Sequence, residues 1–325
     1  MKLVKPSKLN TGDLVGVVSP CLPLLPQFKE QYDAGIRELK KLGFLVKEGK
    51  TTGLKHWWSG GTPQQQAEDI NAMFKDPNVK AIIATSGGYS SINVLELLDY
   101  EAIAANPKPF IGMSDMTGYH LALYTKANLV GFHMDEVCFG MGMNWQKAEP
   151  IAKKQSEEMF LQFLTKPTPA GIIPPLRERK TWRKGTAKGH LIGGNLSSLA
   201  RQVGTPYFPP LEWFDGAIFY WEAVGLHKYD IAQMLYQLKY HGVFDRIAGM
   251  LVGTITAVQA PRDEGIDEPI ISELTLSILK QYNFPILAGM DFGHYTVNMP
   301  MPIGVKVAID ADKQTLEFLE SAVRD

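Results

Sequence analysis

The first half of the chain alternates short apolar runs, rich in valine and isoleucine, with segments of helical periodicity. The runs that predict strands are 14–19, 44–48, 79–85 and 109–111, and the helical segments are 28–42, 62–75, 91–98 and 117–126. Strands that are apolar on both faces are typical of parallel sheets with helices on each side. The pattern therefore predicts an α/β fold whose first domain is a doubly wound, Rossmann-like parallel sheet.

The chain has 325 residues, more than one hydrophobic core usually holds, so two domains are expected. A stretch rich in Pro, Lys, Arg and Thr follows residue 164 and predicts an extended linker. Beyond it, strands are predicted at 217–222, 250–256 and 305–309, and helices at 230–240 and 268–282. The prediction is an N-terminal α/β domain over 1–165, a linker over 166–184 and a smaller C-terminal α/β domain over 185–325.

Composition argues against several classes of protein. A net charge of −1 gives no reason to expect nucleic acid or an anionic membrane as a partner. The two cysteines and seven scattered histidines do not form a metal motif, so neither metal nor cofactor is predicted. No run of about 18 apolar residues predicts a membrane helix, and the first residues show no apolar core of a secretory signal. A cytoplasmic location is the expectation.

Ser114 lies between the strand predicted at 109–111 and the helix predicted at 117–126. Gly112 allows a sharp reversal there, so the hydroxyl would point out of the turn beside the first helical N–H groups. That is the geometry of a nucleophilic serine. Serine is also a favoured N-cap, so this stretch alone leaves nucleophile and cap as equal alternatives.

A serine nucleophile needs a base and a group that orients the base. His294 follows an apolar strand and Gly293, whereas a surface loop histidine is the alternative. Glu222 ends the apolar strand 217–222, where a charge is costly unless paired, and the alternative is that it is simply the first residue outside the strand. Gly88, after strand 79–85, and Asp115 are candidate backbone donors to an oxyanion, with a nucleotide-phosphate loop or a plain turn as the alternatives for Gly87 and Gly88.

The motifs of the whole chain resemble one family, the serine LD-carboxypeptidases, which also includes the microcin C self-immunity peptidases. The resemblance rests on GGY at 87–89, IGMSDMT at 111–117, GHLIGGNLSSLARQVGTP at 189–206, FYWEAV at 219–224 and MDFGHYTVNMPMPIGV at 290–305. These segments occur in order, and the similarity covers nearly the whole chain. Together they are specific, although none is specific alone.

The resemblance implies a Ser-His-Glu triad of Ser114, His294 and Glu222, with an oxyanion hole formed by the N–H groups of Gly88 and Asp115. It also implies a flavodoxin-like N-terminal layer, a site between the domains, a cytoplasmic homodimer and no metal. The expected function is a serine-type carboxypeptidase that cleaves an amide near a free carboxyl end, with a murein tetrapeptide or related peptide as substrate.

Substrate recognition is where the chain departs from the murein-recycling members of the family. Ser86 and Gln233 stand where those members tend to carry arginine. Gly87, Tyr89 and Trp182 are the predicted substrate contacts, and Trp182 in the linker would suit a nucleotide. The alternatives are therefore a microcin C self-immunity-like peptidase acting on peptidyl- or aminoacyl-nucleotide conjugates, or a non-catalytic protein that binds a peptide or nucleotide.

Overall fold

The computed structural model describes residues 3–261, 265–294 and 298–325. The strands are β1 (Leu14–Val18), β2 (Leu45–Glu48), β3 (Val79–Ala84), β4 (Phe110–Gly112), β5 (Gly131–His133), β6 (Gly171–Ile172), β7 (Lys180–Arg183), β8 (Thr186–Asn195), β9 (Ile218–Val224), β10 (Gly249–Thr256), β11 (Ile286–Ala288), β12 (Met301–Ile303), β13 (Lys306–Asp310) and β14 (Thr315–Phe318). The α-helices are α1 (Lys29–Lys41), α2 (Pro63–Lys75), α3 (Tyr100–Ala105), α4 (Met116–Ala127), α5 (Trp145–Lys147), α6 (Pro150–Thr165), α7 (Leu196–Gln202), α8 (Lys228–His241) and α9 (Ile271–Ile278).

The first sheet has the order β12-β5-β4-β3-β1-β2, and its five N-terminal strands are parallel. The order β2-β1-β3-β4-β5 is that of flavodoxin-like folds, which bind ligands at the carboxyl ends of the strands. The predicted α/β class and doubly wound sheet are confirmed. The central strands β3 and β4 form because their apolar side chains, Ile82, Ile83 and Phe110 among them, are buried on both faces.

The second sheet has eight strands in the order β6-β14-β13-β8-β9-β10-β11-β7. Its centre, β8 to β11, is parallel, and the strands on either side are antiparallel. Asn195 pairs with Glu222 where β8 lies beside β9, so both side chains stand at the carboxyl end of this sheet.

Residues 166–184, expected to link two domains, contain β6 and β7, and both strands pair within the second sheet. In the other direction, β12 leaves the C-terminal half of the chain and pairs antiparallel with β5, Met301 opposite His133. One hydrophobic cluster contains residues of both halves, from Leu9 to Val323. The division at 165 and 185 stays a prediction, and strand exchange ties the two halves together.

Two predicted helices were wrong in extent. Residues 91–98 form two short 3₁₀ turns, Ser91–Asn93 and Leu95–Leu97, and the N–H of Ser91 at their start donates to the Asp115 side chain. The helix predicted at 268–282 is the shorter α9. The helix predicted at 62–75 is confirmed as α2, capped by Thr62 with Gln65 as its capping-box partner. In the part of the chain that is described, no helix is both long and apolar enough to cross a bilayer.

Candidate active site

Ser114 occupies a strained turn between β4 and α4. Its φ is +62°, in the left-handed region that non-glycine residues avoid, and its side chain is half-buried. Such conformations cost of order 1–3 kcal/mol and cluster at functional sites. A serine held at this kind of strand-to-helix turn exposes its Oγ above the sheet, as in a nucleophile elbow.

Two backbone N–H groups beside Ser114 have the surroundings expected of oxyanion donors. Asp115 is the N-cap of the twelve-residue helix α4, where the helix dipole favours negative charge. Gly88 follows β3, the strand next to β4. Within the described ranges neither N–H donates a hydrogen bond to another residue. Their role as oxyanion donors stays a prediction.

Gly87 lies directly against the serine. A β carbon at this position would be 2.6 Å from Cβ of Ser114 and 3.0 Å from its Oγ. A side chain here would push Ser114 out of its turn. The glycine is therefore required by the close approach of the two loops.

Replacing Gly87 with alanine should lower kcat about 100-fold, because a shift of about 1 Å in a reacting group has that order of effect. Steady-state kinetics would measure kcat, and a thermal melt would show whether overpacking lowers the melting temperature. Gly53→Ala is the matched control, because nothing lies within 4 Å of a β carbon there. Wild-type kcat in Gly87→Ala would show that Ser114 tolerates displacement.

Glu222 and His294 form a hydrogen-bonded pair. Glu222 lies on β9 with no exposed surface, and its Oε2 is 2.8 Å from Nδ1 of His294. Its Oε1 accepts a 2.9 Å hydrogen bond from Nδ2 of Asn195. Burial favours the neutral acid, but the charge and hydrogen bond of His294, with His133 and Asn195, outweigh it and lower the pKa of Glu222. The carboxylate is thus held in its ionised form.

His294 follows β11 and exposes 19% of its side chain. Burial would lower the pKa of the imidazole, but the charge and hydrogen bond of Glu222 and the charge of Glu136 together raise it. With Nδ1 bonded to Glu222, the proton acceptor of the ring is Nε2. The pair has the arrangement of a general base and its orienting acid.

Contacts of the residues around Ser114 link it to this pair from two sides. Thr117, on the first turn of α4, accepts a 2.9 Å hydrogen bond from the N–H of Asn195, whose side chain bonds Glu222. Met113, directly before Ser114, has its Sδ 3.4 Å from Nδ2 of Asn298, four residues after His294. The carboxyl ends of the two sheets therefore meet at Ser114.

The side chain of Asp115 fastens α4 to the second half of the chain. Its buried carboxylate accepts hydrogen bonds from the N–H and Oγ of Ser91 at 2.8 and 2.9 Å. Ser198 and Arg201 of α7 contact the same carboxylate at 3.2 and 3.4 Å. From the sequence, Asp115 was expected only as a backbone donor, and this role of its side chain was missed. An acidic N-cap residue that does not cap its own helix carries no local signal of it.

The predicted substrate contacts lie in different surroundings. Tyr89 is 65% exposed next to Gly88. Trp182 lies on β7 and packs against the hydrophobic core, and its neighbours Thr181 and Arg183 pair with Leu287 and Ile286. That places Trp182 beside β11 itself, whereas His294 follows the carboxyl end of that strand. The contact of either side chain with substrate stays a prediction.

The other histidines near the site are buried and neutral. Burial lowers the pKa of His120 to about 3 and that of His133 to about 4. His120 bonds the carbonyl of Phe110 through Nε2, so it belongs to the core below the site. Among the residues that the structure describes, no three His, Cys, Asp or Glu side chains are grouped so as to hold a metal ion.

Comparison with known proteins assigns the chain to a family. The family model for the LD-carboxypeptidase N-terminal domain matches residues 15–134, and that for the LD-carboxypeptidase C-terminal domain matches residues 188–309. A probable murein peptide carboxypeptidase of Bacillus subtilis strain 168 is 31% identical over 313 residues, 96% of this chain and 93% of that protein.

A second relative points to a different branch. The microcin C7 self-immunity protein MccF of Escherichia coli is 28% identical over 337 residues, 96% of this chain and 94% of that protein. A structure of MccF in complex with aspartyl sulfamoyl adenosine superposes with a TM-score of 0.87 at 25% identity, covering 98% of this chain and 99% of that one. The resemblance noted from the motifs is confirmed: this chain belongs to the LD-carboxypeptidase family and is a hydrolase of the carboxypeptidase type.

Proposed function

We propose that this protein is a serine-type carboxypeptidase that cleaves an amide near the free carboxyl end of a peptide through an acyl-enzyme on Ser114. The Glu222–His294 pair, 2.8 Å apart, is the observation that carries the proposal, together with the strained turn of Ser114. A carboxylate held ionised next to an imidazole has a clear use as the orienting acid of a base.

The reaction begins when Nε2 of His294 takes the proton of Ser114 Oγ, which attacks the carbonyl carbon of the scissile amide. The tetrahedral oxyanion accepts hydrogen bonds from the N–H groups of Gly88 and Asp115, each worth about 3 kcal/mol. His294 then protonates the leaving nitrogen, and the C–N bond breaks. Water attacks the acyl-enzyme with His294 as base again, and the proton finally returns to Ser114.

A murein tetrapeptide is the first substrate that we propose. The bond cleaved would join the L-centre of diaminopimelate or lysine to a terminal D-alanine. The support is the 31% identity to a protein named a probable murein peptide carboxypeptidase. A cytoplasmic homodimer, with no metal or cofactor, nucleic acid or membrane, completes the proposal.

An aminoacyl- or peptidyl-nucleotide conjugate is the second candidate. It is favoured by the likeness to MccF, two of whose structures hold aspartyl sulfamoyl adenosine and glutamyl sulfamoyl guanosine. In this case the bond cleaved would be the amide between the acyl group and the nucleotide mimic. A protein that only binds such ligands is the third candidate, and the filled triad positions argue against it.

Parallel hydrolysis assays distinguish the candidates. Purified wild type and Ser114→Ala would be given a murein tetrapeptide ending in D-alanine, or an acylated aminoacyl-sulfamoyl adenosine. We expect wild type to release D-alanine and Ser114→Ala to release none. Cleavage of only the nucleotide conjugate would replace the first substrate with the second. Binding of either compound without any hydrolysis would leave the non-catalytic candidate.

A further inference from the structure

A buried carboxylate outside the triad is bonded to the segment that carries His294. Asp135 lies two residues after β5 and is 2% exposed. It accepts hydrogen bonds from the backbone N–H and the Nδ2 of Asn298, at 3.2 and 2.5 Å. A third hydrogen bond, 2.7 Å long, comes from Nε1 of Trp145. All three donors therefore converge on one side chain of the first sheet.

Asn298 connects Asp135 to the segment that contains His294. It is 4% exposed, and its Oδ1 accepts a 2.7 Å hydrogen bond from the N–H of Gly293, the residue directly before His294. Gly293 has φ +131°, and a β carbon there would lie 2.8 Å from the carbonyl oxygen of Thr254. The backbone at Gly293, directly before His294, is thus held by the Asn298 side chain and lies close to the backbone of Thr254.

The same amide also reaches the nucleophile's loop, because Asn298 Nδ2 lies 3.4 Å from Sδ of Met113. Asp135 and Asn298 are 163 residues apart in sequence, and one belongs to each half of the molecule. Hydrogen bonds to a charged group are among the stronger ones in proteins. Such bonds can hold the segment that carries His294 at a fixed position relative to the loop that carries Ser114.

We propose that Asp135 and Asn298 form a latch that positions His294 relative to Ser114. The proposal rests on the function proposed above. Both are positioning residues, because Asn298 bonds the backbone before His294 and lies against Met113 before Ser114, and Asp135 acts through Asn298. Glu222 holds the imidazole through Nδ1, and the latch holds the backbone that carries it. Positioning groups of this kind act on the chemical step more than on substrate affinity.

Asp135→Asn and Asn298→Ala test the latch. The asparagine at 135 is isosteric, but it has one acceptor oxygen for three converging donors, and its amide hydrogens would face them. Either substitution should lower kcat by about 10- to 100-fold, the order expected for a misplaced catalytic group, and change KM less than about threefold. The loss of kcat in the double variant should be no larger than that in the more damaged single variant, because the two residues act as a unit.

Trp145→Phe is the matched control. It removes the third hydrogen bond to Asp135 and leaves Asn298 and Gly293 paired, so kcat should stay within about threefold of wild type. Labelling of Ser114 by a serine-directed phosphonate should slow in the latch variants in proportion to kcat. A merely structural role would lower the melting temperature without this kinetic split.

The latch is overturned if Asp135→Asn and Asn298→Ala keep wild-type kcat, if their losses multiply in the double variant, or if Trp145→Phe loses as much. Those results leave the proposed function intact as long as wild-type hydrolysis depends on Ser114. Absence of Ser114-dependent hydrolysis in wild type would instead remove the proposed function, and the latch with it.

Discussion

Ser114→Ala should lower kcat by about 10⁶-fold, the loss seen when the nucleophile of a serine hydrolase is removed. The hydroxyl is the only group of the proposed site that forms a bond to substrate, so the acyl-enzyme route ends with it. A residual rate of roughly 10³- to 10⁴-fold over water should remain, because Gly88 and Asp115 would still stabilise an oxyanion. Initial rates on whichever substrate the wild type cleaves measure both numbers.

The matched control for this experiment is Ser277→Ala, an exposed serine on α9. It should keep wild-type kcat. Alanine and serine both carry a β carbon, so Ser114→Ala should add little strain to the positive φ at this position. Both variants should therefore keep the wild-type fold, as measured by circular dichroism. A Ser114→Ala enzyme with more than a few per cent of wild-type kcat would mean that Ser114 is not the nucleophile.

Glu222→Gln should lower kcat by about 10⁴-fold, as loss of the orienting acid does in a serine triad. One oxygen of Glu222 accepts from Asn195 and the other from His294. A glutamine has one oxygen, so its NH₂ would face either the Asn195 donor or Nδ1 of His294. The second arrangement makes Nδ1 an acceptor and places the proton on Nε2, which then cannot take the proton of Ser114.

The pH profile gives an independent readout of the same variant. The Glu222 charge helps to raise the pKa of His294 above the 6.5 of an ordinary histidine. A base must be neutral to act, so the acidic limb of kcat/KM in wild type should lie above pH 6.5 and activity should rise through it. Glu222→Gln should move that limb to lower pH. The control is Glu317→Gln, at an exposed position of β14, which should change neither kcat nor the pH of the acidic limb. If the acidic limb of Glu222→Gln stays at the wild-type pH, the pairing of Glu222 with His294 is contradicted.

The parallel sheet could be predicted because β1 and β3 are apolar runs that are buried on both faces. Such a run consists of consecutive residues, so it can be recognised in the sequence without knowledge of distant contacts. The turn at Ser114 could be predicted for the same reason, since a strand, Gly112 and a helix follow one another there. The segment predicted as helix 91–98 forms 3₁₀ turns instead, and its first residue, Ser91, is bonded to Asp115, 24 residues away. Local periodicity carries no information about such a partner.

The supports of the site were missed for a similar reason. Asn195 caps α7 by accepting a hydrogen bond from the N–H of Ser198, and the same side chain also bonds Glu222, 27 residues on. The roles of Asp135 and Asn298 depend on β12 returning to pair with β5. That exchange has no sequence signature, whereas the residues of the proposed triad stand at strand ends that sequence reading can locate.

The most direct test of a Ser114 acyl-enzyme is to locate the residue that a serine-directed phosphonate modifies. Wild type, Ser114→Ala and His294→Ala would be treated in parallel, digested and mapped by mass spectrometry. We predict one adduct on the wild-type peptide that contains Ser114, none at any residue in Ser114→Ala, and a strongly slowed reaction in His294→Ala. An adduct at another serine, or equal labelling of wild type and Ser114→Ala, would contradict the assignment of Ser114 as the nucleophile.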